Sequence, residues 1–374
     1  MRKKKSAPFS IGHVDADTIL EMNEPYTPSA NDFAPADAAE KESFITRAKS
    51  TSYWKDAWRR LRKNTVAMIA LGVIIFLVLF AFVGPLLTPY DYSTQMRNEE
   101  NWPPFWRDAD PIVQQKADEA GIKIDKSKHI LGTDSLGRDN LTRLMYGTRI
   151  SITIGLAASL IVLIIGSLIG AISGYLGGAA DVVIMRITEI IYSVPDVLVV
   201  LLLSTGLKES ISAYISNHPG SFSMFLNSIG ANLIGMFITF GLIYWVGMCR
   251  IIRGQVLMLK QQEYVTAARA LGASGSRIIR KHLLPNCVGQ IIVTTCLQIP
   301  SSIFLESFLS FLGMGVSAPL TSLGSMASDG LSGIYSPAYQ YRLIVPAILL
   351  SLLILSFNLF GDGLRDALDP RLKK

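Results

Sequence analysis

Charged residues are scarce in this chain of 374 residues. Asp, Glu, Lys and Arg make up 17% of it and hydrophobic residues 50%, whereas about 25% of a typical soluble domain is charged. Stretches with at most one charged residue cover 65–90, 150–180, 190–207, 210–249, 307–328 and 343–361. Since about 20 apolar residues allow a helix to cross the hydrocarbon of a bilayer, the pattern excludes an ordinary soluble domain. It indicates an all-α, polytopic membrane protein.

Groups that carry catalysis or hold metals are also few. The three cysteines show no CxxC spacing, and their odd number excludes a disulfide framework. The four histidines are scattered, and no grouping of His, Cys, Asp or Glu has the spacing of a metal or catalytic site. We therefore predict no catalytic residue and no metal, which also argues against an intramembrane hydrolase.

A nucleotide-binding motif is missing as well. No Gly-rich loop of the form GxxxxGK[ST] occurs in the chain, so nucleotide chemistry would have to come from another subunit, and we expect no cofactor on this one. The formal net charge is +6. The basic residues flank apolar stretches, however, so they indicate membrane orientation and contact with lipid, and we predict no nucleic-acid partner.

Six membrane spans are predicted from the apolar stretches. They lie at 65–87, 150–174, 186–207, 232–254, 287–312 and 343–361. The segments 208–231 and 314–341 are rich in Ser, Gly or Pro, and we expect both to be extracellular loops.

Two basic segments set the expected orientation. Seven Lys or Arg side chains lie within 47–63, and seven more lie within 250–286. Because Lys and Arg accumulate in short cytoplasmic loops, both segments and both termini are expected to be cytoplasmic (N-in, C-in). An even number of spans requires the same arrangement.

The spans divide the chain into regions. We expect a disordered cytoplasmic tail at 1–46, an interfacial amphipathic helix at 47–64, the first transmembrane helix at 65–87, an extracellular loop at 88–148, a five-helix core at 149–363 and a cytoplasmic tail at 364–374. Trp54, Ala57, Trp58 and Leu61 fall at helical spacing, which favours a helix lying along the membrane surface.

Three glycines recur at four-residue intervals in the second span: Gly166, Gly170 and Gly174. Small residues let helices approach closely in lipid, where water supplies no hydrophobic drive between them. We expect another helix to pack on this face.

The predicted inner loop 254–286 is unusual for a connector. Residues 262–271 favour a helix ending at Gly272, which suits a left-handed cap. A second short helix is expected at 276–284, basic on one side, apolar on the other, and stopped by Pro285. Two short helices joined by a glycine turn would form a rigid knob able to fit a groove on a partner.

The same loop resembles a known family. The pair Ala267-Ala268 is followed by Gly272 and then by the run HLLP, which ends at Pro285. This order resembles the loop with which permease subunits of binding-protein-dependent ABC importers dock on their ATPase. Thr266 departs from the glutamate that usually precedes the alanine pair. The docking residues implied by the resemblance are Ala267, Ala268, Arg269, Gly272, Arg277, Leu284 and Pro285.

Three further segments narrow the resemblance to dipeptide, oligopeptide and nickel permeases, and most of all to the C-type subunit of oligopeptide permeases. They are HILGTDSLGRD at 129–139, ESFLSFLGMG at 306–315 and NLFGDGLRDALDPR at 358–371. The resemblance implies a type I ABC importer permease fold in a bacterial cytoplasmic membrane. It also implies as partners a second homologous permease subunit, two ATPase subunits carrying ATP and Mg²⁺, and an extracellular substrate-binding lipoprotein.

The substrate implied by the resemblance is a peptide, and a nickel or other metal chelate is the alternative, because the nickel permeases share every motif above. The length of the loop 88–148 resembles that of oligopeptide-type subunits. This length favours peptides and a surface that meets the binding protein.

Two carboxylates lie inside predicted spans. Asp196 is expected near mid-depth of the third span, and Glu306 lies in the outer part of the fifth. Intramembrane ionisable residues are functional candidates by default. Two interpretations remain open for both residues: lining of a transport pathway, and interhelical hydrogen bonding. Arg186 and Glu189 are expected to form a structural ion pair.

Overall fold

The computed structural model describes residues 52–316 and 318–368. The predicted tail 1–46, the basic residues at 47–51 and the last six residues lie outside these ranges. No β-strand occurs in the described ranges, where an isolated bridge joins Thr133 to Asp139. The all-α prediction is therefore confirmed.

Fourteen α-helices occur in the described ranges. In chain order they are α1 (Tyr53–Leu61), α2 (Thr65–Phe82), α3 (Pro111–Glu119), α4 (Asn140–Leu176), α5 (Gly178–Ser193), α6 (Asp196–Asn217), α7 (Ser221–Ile229), α8 (Ala231–Ile243), α9 (Trp245–Leu259), α10 (Glu263–Ala270), α11 (Gly275–Ile278), α12 (Val288–Phe311), α13 (Leu323–Leu331) and α14 (Tyr341–Leu368). Helix α3 lies in the long loop between α2 and α4.

Six segments of the described chain are long and apolar enough to cross a membrane, as predicted. They are α2 with the 3₁₀ turn after it, α4, α6, α8 with α9, the run Gly275–Phe311, and α14. The second is longer than the predicted 150–174: α4 has 37 residues, about 55 Å at 1.5 Å per residue. It begins early because Asp139 caps it, accepting a hydrogen bond from the Thr142 amide at 2.7 Å.

The third span differs from the prediction, and the predicted loop 208–231 is wrong. A break at Val194 and Pro195 separates α5 from α6, since Val194 is extended and proline disfavours helix in the preceding residue. Helix α6 then runs on to Asn217, and α7 follows. Serines are tolerated there because they bond carbonyls one turn back, as Ser210 does with Gly206 O at 2.9 Å.

The predicted loop 314–341 also contains a helix, α13. Ser322 begins it with a capping box, in which Ser322 and Ser325 exchange side-chain to backbone hydrogen bonds. Gly324 lets α13 pack closely on α12, because a Cβ atom there would lie 2.4 Å from the Ser307 carbonyl oxygen. Helix α13 packs among α4, α12 and α14. The sequence analysis missed this helix because its capping box has serine at the position where glutamate or glutamine is usual.

The long helix α4 lies at the centre of the fold and packs against α2, α8, α9, α12 and α13. Its three glycines face α9, as predicted. A Cβ atom at Gly166 would lie 2.7 Å from the Trp245 carbonyl oxygen, and one at Gly170 would lie 2.5 Å from that of Cys249. We call this contact the glycine seam (Gly166, Gly170 and Gly174 against α9). Its close approach maximises van der Waals packing between the two helices.

Helix α1 occupies part of the predicted interfacial helix 47–64. Its Trp54 and Trp58 side chains are about half exposed, while Ala57 is buried against α12 and α14 and Leu61 against α2 and α14. The Tyr53 hydroxyl donates a hydrogen bond to the Leu368 carbonyl at 3.1 Å. Because α14 continues to Leu368, the predicted tail 364–374 begins as helix. The N-terminal end of α2, α1 and the end of α14 therefore lie at one end of the bundle.

Replacing Gly170 with valine is expected to destabilise the protein by about 1–3 kcal/mol, because the added side chain must displace the α9 backbone. Thermal denaturation of the purified protein in detergent would measure this loss as a lower midpoint. Gly72→Val in α2 is the matched control, since a Cβ atom at Gly72 meets no atom within 4 Å. Equal destabilisation by both variants would contradict the glycine seam.

Candidate functional site

Residues 260–287 lie between α9 and α12, and we call them the inter-span segment; its second half, from Gly275, overlaps the fifth candidate span. The predicted loop 254–286 begins earlier than this, because 254–259 belong to α9. As predicted, two short helices follow, separated by Gly272, whose φ of +81° lies in the left-handed region.

The predicted stop at Pro285 is wrong. Helix α11 leads into a π-helix at Ile279–Leu283, then into a 3₁₀ turn at Leu284–Cys287, and directly into α12. Pro285 sits in the first turn of the 3₁₀ element, where a missing amide N–H breaks no helical hydrogen bond. The second half of the inter-span segment is therefore a continuous extension of α12.

Apolar side chains anchor the inter-span segment to the bundle. Val265, Ile278 and Leu283 are fully buried. They share one cluster with Ile252 and Val256 of α9 and with residues of α4. Burying each such side chain contributes about 1.5–3 kcal/mol, so the segment is held on α4 and α9 and cannot swing as a free loop.

Polar contacts reinforce this attachment. The Lys260 ammonium donates to the Gly174 carbonyl at 3.0 Å and to the Tyr175 carbonyl at 3.3 Å, which satisfies the C-terminal end of α4. The Arg269 guanidinium lies 5.8 Å from the Tyr175 ring centroid. The Asn286 amide donates to the Tyr264 hydroxyl at 3.4 Å, joining the two halves of the segment.

All seven predicted docking residues belong to the inter-span segment. Ala267, Arg269, Gly272, Arg277 and Pro285 are exposed, and Ala268 and Leu284 are partly buried. The sequence reasoning missed Leu271, whose side chain is 88% exposed at the turn before Gly272. A side chain this exposed at the turn between the two short helices is available to contact a partner. The sequence does show this residue as a single leucine directly before the cap glycine Gly272.

A polar cluster fixes the start of α5 near the inter-span segment. The Arg253 guanidinium donates two hydrogen bonds to the Asp181 carboxylate, both at 2.5 Å. This pairing lowers the pKa of Asp181 to about 2. Ser173 of α4 also donates to Asp181. The cluster therefore ties α4, α5 and α9 together, and sequence spacing gave no indication of it.

Glu306 lies in the fully buried interior of the bundle. Its carboxylate accepts hydrogen bonds from Ser151 on α4 at 3.0 Å, and from Ser310 at 2.7 Å and Ser307 at 3.2 Å on its own helix. The Ser151 hydroxyl in turn accepts from the Leu323 amide of α13 at 3.3 Å. Of the two interpretations left open, this geometry is that of an interhelical network joining α4, α12 and α13.

Asp196 has a different setting from the one expected. It lies at the start of α6, not inside a continuous span, and is exposed. The Tyr244 hydroxyl donates to its carboxylate at 3.3 Å. Both residues line a cavity of about 540 Å³, whose lining does not include Glu306. The structure therefore does not bring the two predicted intramembrane carboxylates into one site. Arg186 and Glu189 form the expected pair at 2.7 Å.

The motif 129–139 forms a buried charged cluster at the opposite end of the bundle from α1. The His129 Nδ1 lies 2.8 Å from Asp139, and its Nε2 lies 2.9 Å from Glu99. Burial opposes protonation of His129, but the hydrogen bonds and charges of both carboxylates outweigh it, so the pKa of His129 is raised. Since Asp139 also caps α4, the cluster connects the long loop to the central helix.

These features define a class: an integral membrane transport component with six spanning helices, an anchored inter-span segment and an exposed cavity. Residues 166–374 match the family described as the inner membrane component of binding-protein-dependent transport systems. Residues 52–104 match the N-terminal transmembrane domain of oligopeptide transport permease C. The chain belongs to the family of inner membrane components of binding-protein-dependent transport systems. It is a multi-pass protein of the cytoplasmic membrane.

Full-length relatives agree with this assignment. The chain is 42% identical over 334 residues to the dipeptide transport system permease protein DppC of Bacillus subtilis, covering 89% of this chain and 91% of that one. It is 42% identical over 344 residues to the oligopeptide transport system permease protein OppC of the same organism, covering 92% and 98%. The OppC of Escherichia coli K12 is 37% identical over 321 residues, covering 86% and 92%.

The buried His129 cluster predicts a pH-dependent stability. Because the pKa of His129 is raised by folding, its contribution is full below the unfolded pKa of about 6.5 and is lost as pH rises through the folded value. The thermal midpoint should therefore fall as pH rises from about 6 to about 9, and His129→Asn should flatten this slope.

The matched control is His218→Asn. The His218 side chain is exposed and stacks on Tyr214. This variant should keep the slope of the unmodified protein. A slope that His129→Asn leaves unchanged would contradict the assignment.

Proposed function

We propose that the chain is one of two permease subunits of an ATP-driven peptide importer, forming half of the pathway for peptides delivered by an extracellular binding protein. The support for peptide as substrate comes from the relatives, which are named as dipeptide and oligopeptide permeases and align over most of this chain. A nickel or metal-chelate importer, the alternative raised by the shared motifs, is not favoured by these relatives.

The proposed partners follow from what one subunit lacks. The sequence has no Gly-rich nucleotide motif, so two ATPase subunits are proposed to hold ATP and Mg²⁺. A second homologous permease subunit would complete the pathway as a heterodimer, and a substrate-binding lipoprotein would supply peptide from outside. This chain would then be a non-enzymatic subunit.

We propose an orientation with both termini and the inter-span segment in the cytoplasm. The basic residues around 47–63 and 250–286 support it. The geometry is consistent with it, since Tyr53, Pro285 and Leu368 line one shared cavity and thus lie at the same end of the bundle.

The anchoring of the inter-span segment carries the proposed mechanism. With Val265, Ile278 and Leu283 buried on α4 and α9, a displacement of the exposed surface must move those helices as well, because packed interiors transmit strain. ATP-driven closure of the ATPase pair would then tilt the two permease halves and alternate access to the pathway between them.

Leu271→Asp is expected to lower the affinity of the ATPase for the permease about tenfold or more, because a carboxylate buried in the contact loses its hydration without gaining a partner. Co-purification of the ATPase with the membrane complex measures retention. Uptake of tri-alanine into proteoliposomes containing the whole transporter and its binding protein should fall in parallel, and a Ni²⁺ chelate should not compete with tri-alanine in the unmodified transporter.

Leu87→Asp is the matched control for Leu271→Asp. Leu87 is 80% exposed but follows α2 at the opposite end of the bundle, so ATPase retention should not change. Undiminished retention in Leu271→Asp would count against docking at this surface, and competition by the chelate but not by other peptides would count against a peptide substrate.

The proposed orientation predicts which cysteine variants an impermeant maleimide reaches in intact cells. Ser332→Cys, just after α13, should be labelled from outside. Ser276→Cys, in the inter-span segment, should be labelled only after the membrane is made permeable. Both serines are exposed, and the three native cysteines are buried. The reverse pattern would overturn the orientation and the docking role together.

A further inference from the structure

Two breaks in helices meet at one cavity. The break between α5 and α6 contributes Ser193 and Asp196, the junction of α8 and α9 contributes Tyr244 and Gly247, and α12 contributes Gln298. The volume of about 540 Å³ lies in the range of small-molecule sites. Interrupted membrane helices meet at substrate sites in many transporters, because irregular backbone is tolerated in a membrane only where it lines a cavity or is buried in protein.

Asp196 is an unneutralised carboxylate in this cavity. No Lys, Arg or His lies within ion-pair distance of it in the part of the chain that the structure describes. Its hydrogen bonds come from its neighbour's amide, Val197 N at 2.8 Å, and from the Tyr244 hydroxyl at 3.3 Å. Two other carboxylates differ: Asp181 pairs with Arg253, and Glu306 is surrounded by serines.

The nearby basic residue Arg250 does not neutralise Asp196. Its guanidinium lies over the Tyr192 ring, 4.7 Å from the centroid. Arg250 therefore occupies one face of the aromatic ring at the cavity edge. A cation inside the cavity would be held by Asp196 and the Tyr244 hydroxyl oxygen, since a carboxylate is the strongest counter-ion available to it.

The rest of the lining fits the backbone of a peptide. The Gln298 side-chain amide makes no hydrogen bond to any other described residue and can both donate and accept. Apolar side chains complete the wall: Ile191, Val194, Pro195 and Ile243. One carboxylate, one free amide and an apolar wall match a molecule with an ammonium group, amide bonds and small side chains.

We propose that this cavity is a binding station for a peptide in transit, in which Asp196 holds the free α-ammonium group. That the cavity binds a cation follows from its geometry alone. That the cation belongs to a peptide rests on the proposed function. Asp196 is a binding residue here, with no role in nucleotide chemistry.

A thiol placed beside Asp196 tests the cation preference without transport. In Ser193→Cys, a cationic methanethiosulfonate reagent should react faster than an anionic one. The ratio of the two rates should fall about tenfold or more when Asp196→Asn is added, because a charge in a low-dielectric cleft raises local counter-ion concentration by that order. Glu189→Gln is the matched control, since Glu189 pairs with Arg186 on the surface and does not line the cavity. It should leave the ratio unchanged.

Protection by peptide tests what the cation belongs to. Tri-alanine at millimolar concentration should slow the reaction of Ser193→Cys with neutral N-ethylmaleimide in the whole transporter, whereas N-acetyl-tri-alanine should not. Adding Asp196→Asn should remove the protection. Equal protection by both peptides, or none by either, would overturn the assignment to an α-ammonium group.

Transport separates this proposal from the proposed function. Asp196→Asn should lower the maximal rate of tri-alanine uptake about tenfold while ATPase retention is unchanged, and Asp196→Glu should restore part of the rate. A rate in Asp196→Asn equal to that of the unmodified transporter would overturn the proposal that peptides bind at Asp196 during transport. If the unmodified transporter takes up no peptide, the proposed function fails, whereas the reagent ratio still decides whether the cavity binds cations.

Discussion

Close packing of α4 on α9 is the contact on which the rest of this structure depends. In lipid, apolar side chains gain little by leaving their surroundings, so helices associate where small residues allow backbones to approach. The glycine seam provides such an approach over about two turns of α4. It places α9 next to the central helix, and the two ends of α9 then set the positions of the two candidate sites.

Helix α9 physically connects these sites. At its N-terminal end, Tyr244 and Gly247 line the cavity that holds Asp196. At its C-terminal end, Ile252 and Val256 bury the anchors of the inter-span segment. A rigid element that contacts both sites is the simplest physical route by which docking of a partner and occupancy of a cavity influence each other.

Three carboxylates in and beside the bundle differ in their partners. The Glu306 carboxylate accepts hydrogen bonds from hydroxyl groups, and the Asp181 carboxylate accepts them from a guanidinium. Such partners are expected, because a buried polar group left without a hydrogen bond costs about 1–3 kcal/mol. Asp196 has no cationic partner and accepts from a single hydroxyl, that of Tyr244, although it lines a cavity that also holds the free amide of Gln298. Glu306 and Asp181 therefore have structural roles, whereas Asp196 is left available to bind a ligand.

The sequence by itself determined the helical class, the number of spans, the glycine seam and the two-helix character of the inter-span segment, because hydropathy and local backbone preference act over a few residues. It did not determine where Pro195 divides the third span, that Pro285 lies within a continuous helical path, or that α13 forms in a polar stretch. Those outcomes depend on caps and on neighbouring helices. Only the tertiary structure separated Asp196 from Glu306 and brought Asp196 to Tyr244, since residues 48 positions apart meet through packing that no local pattern records.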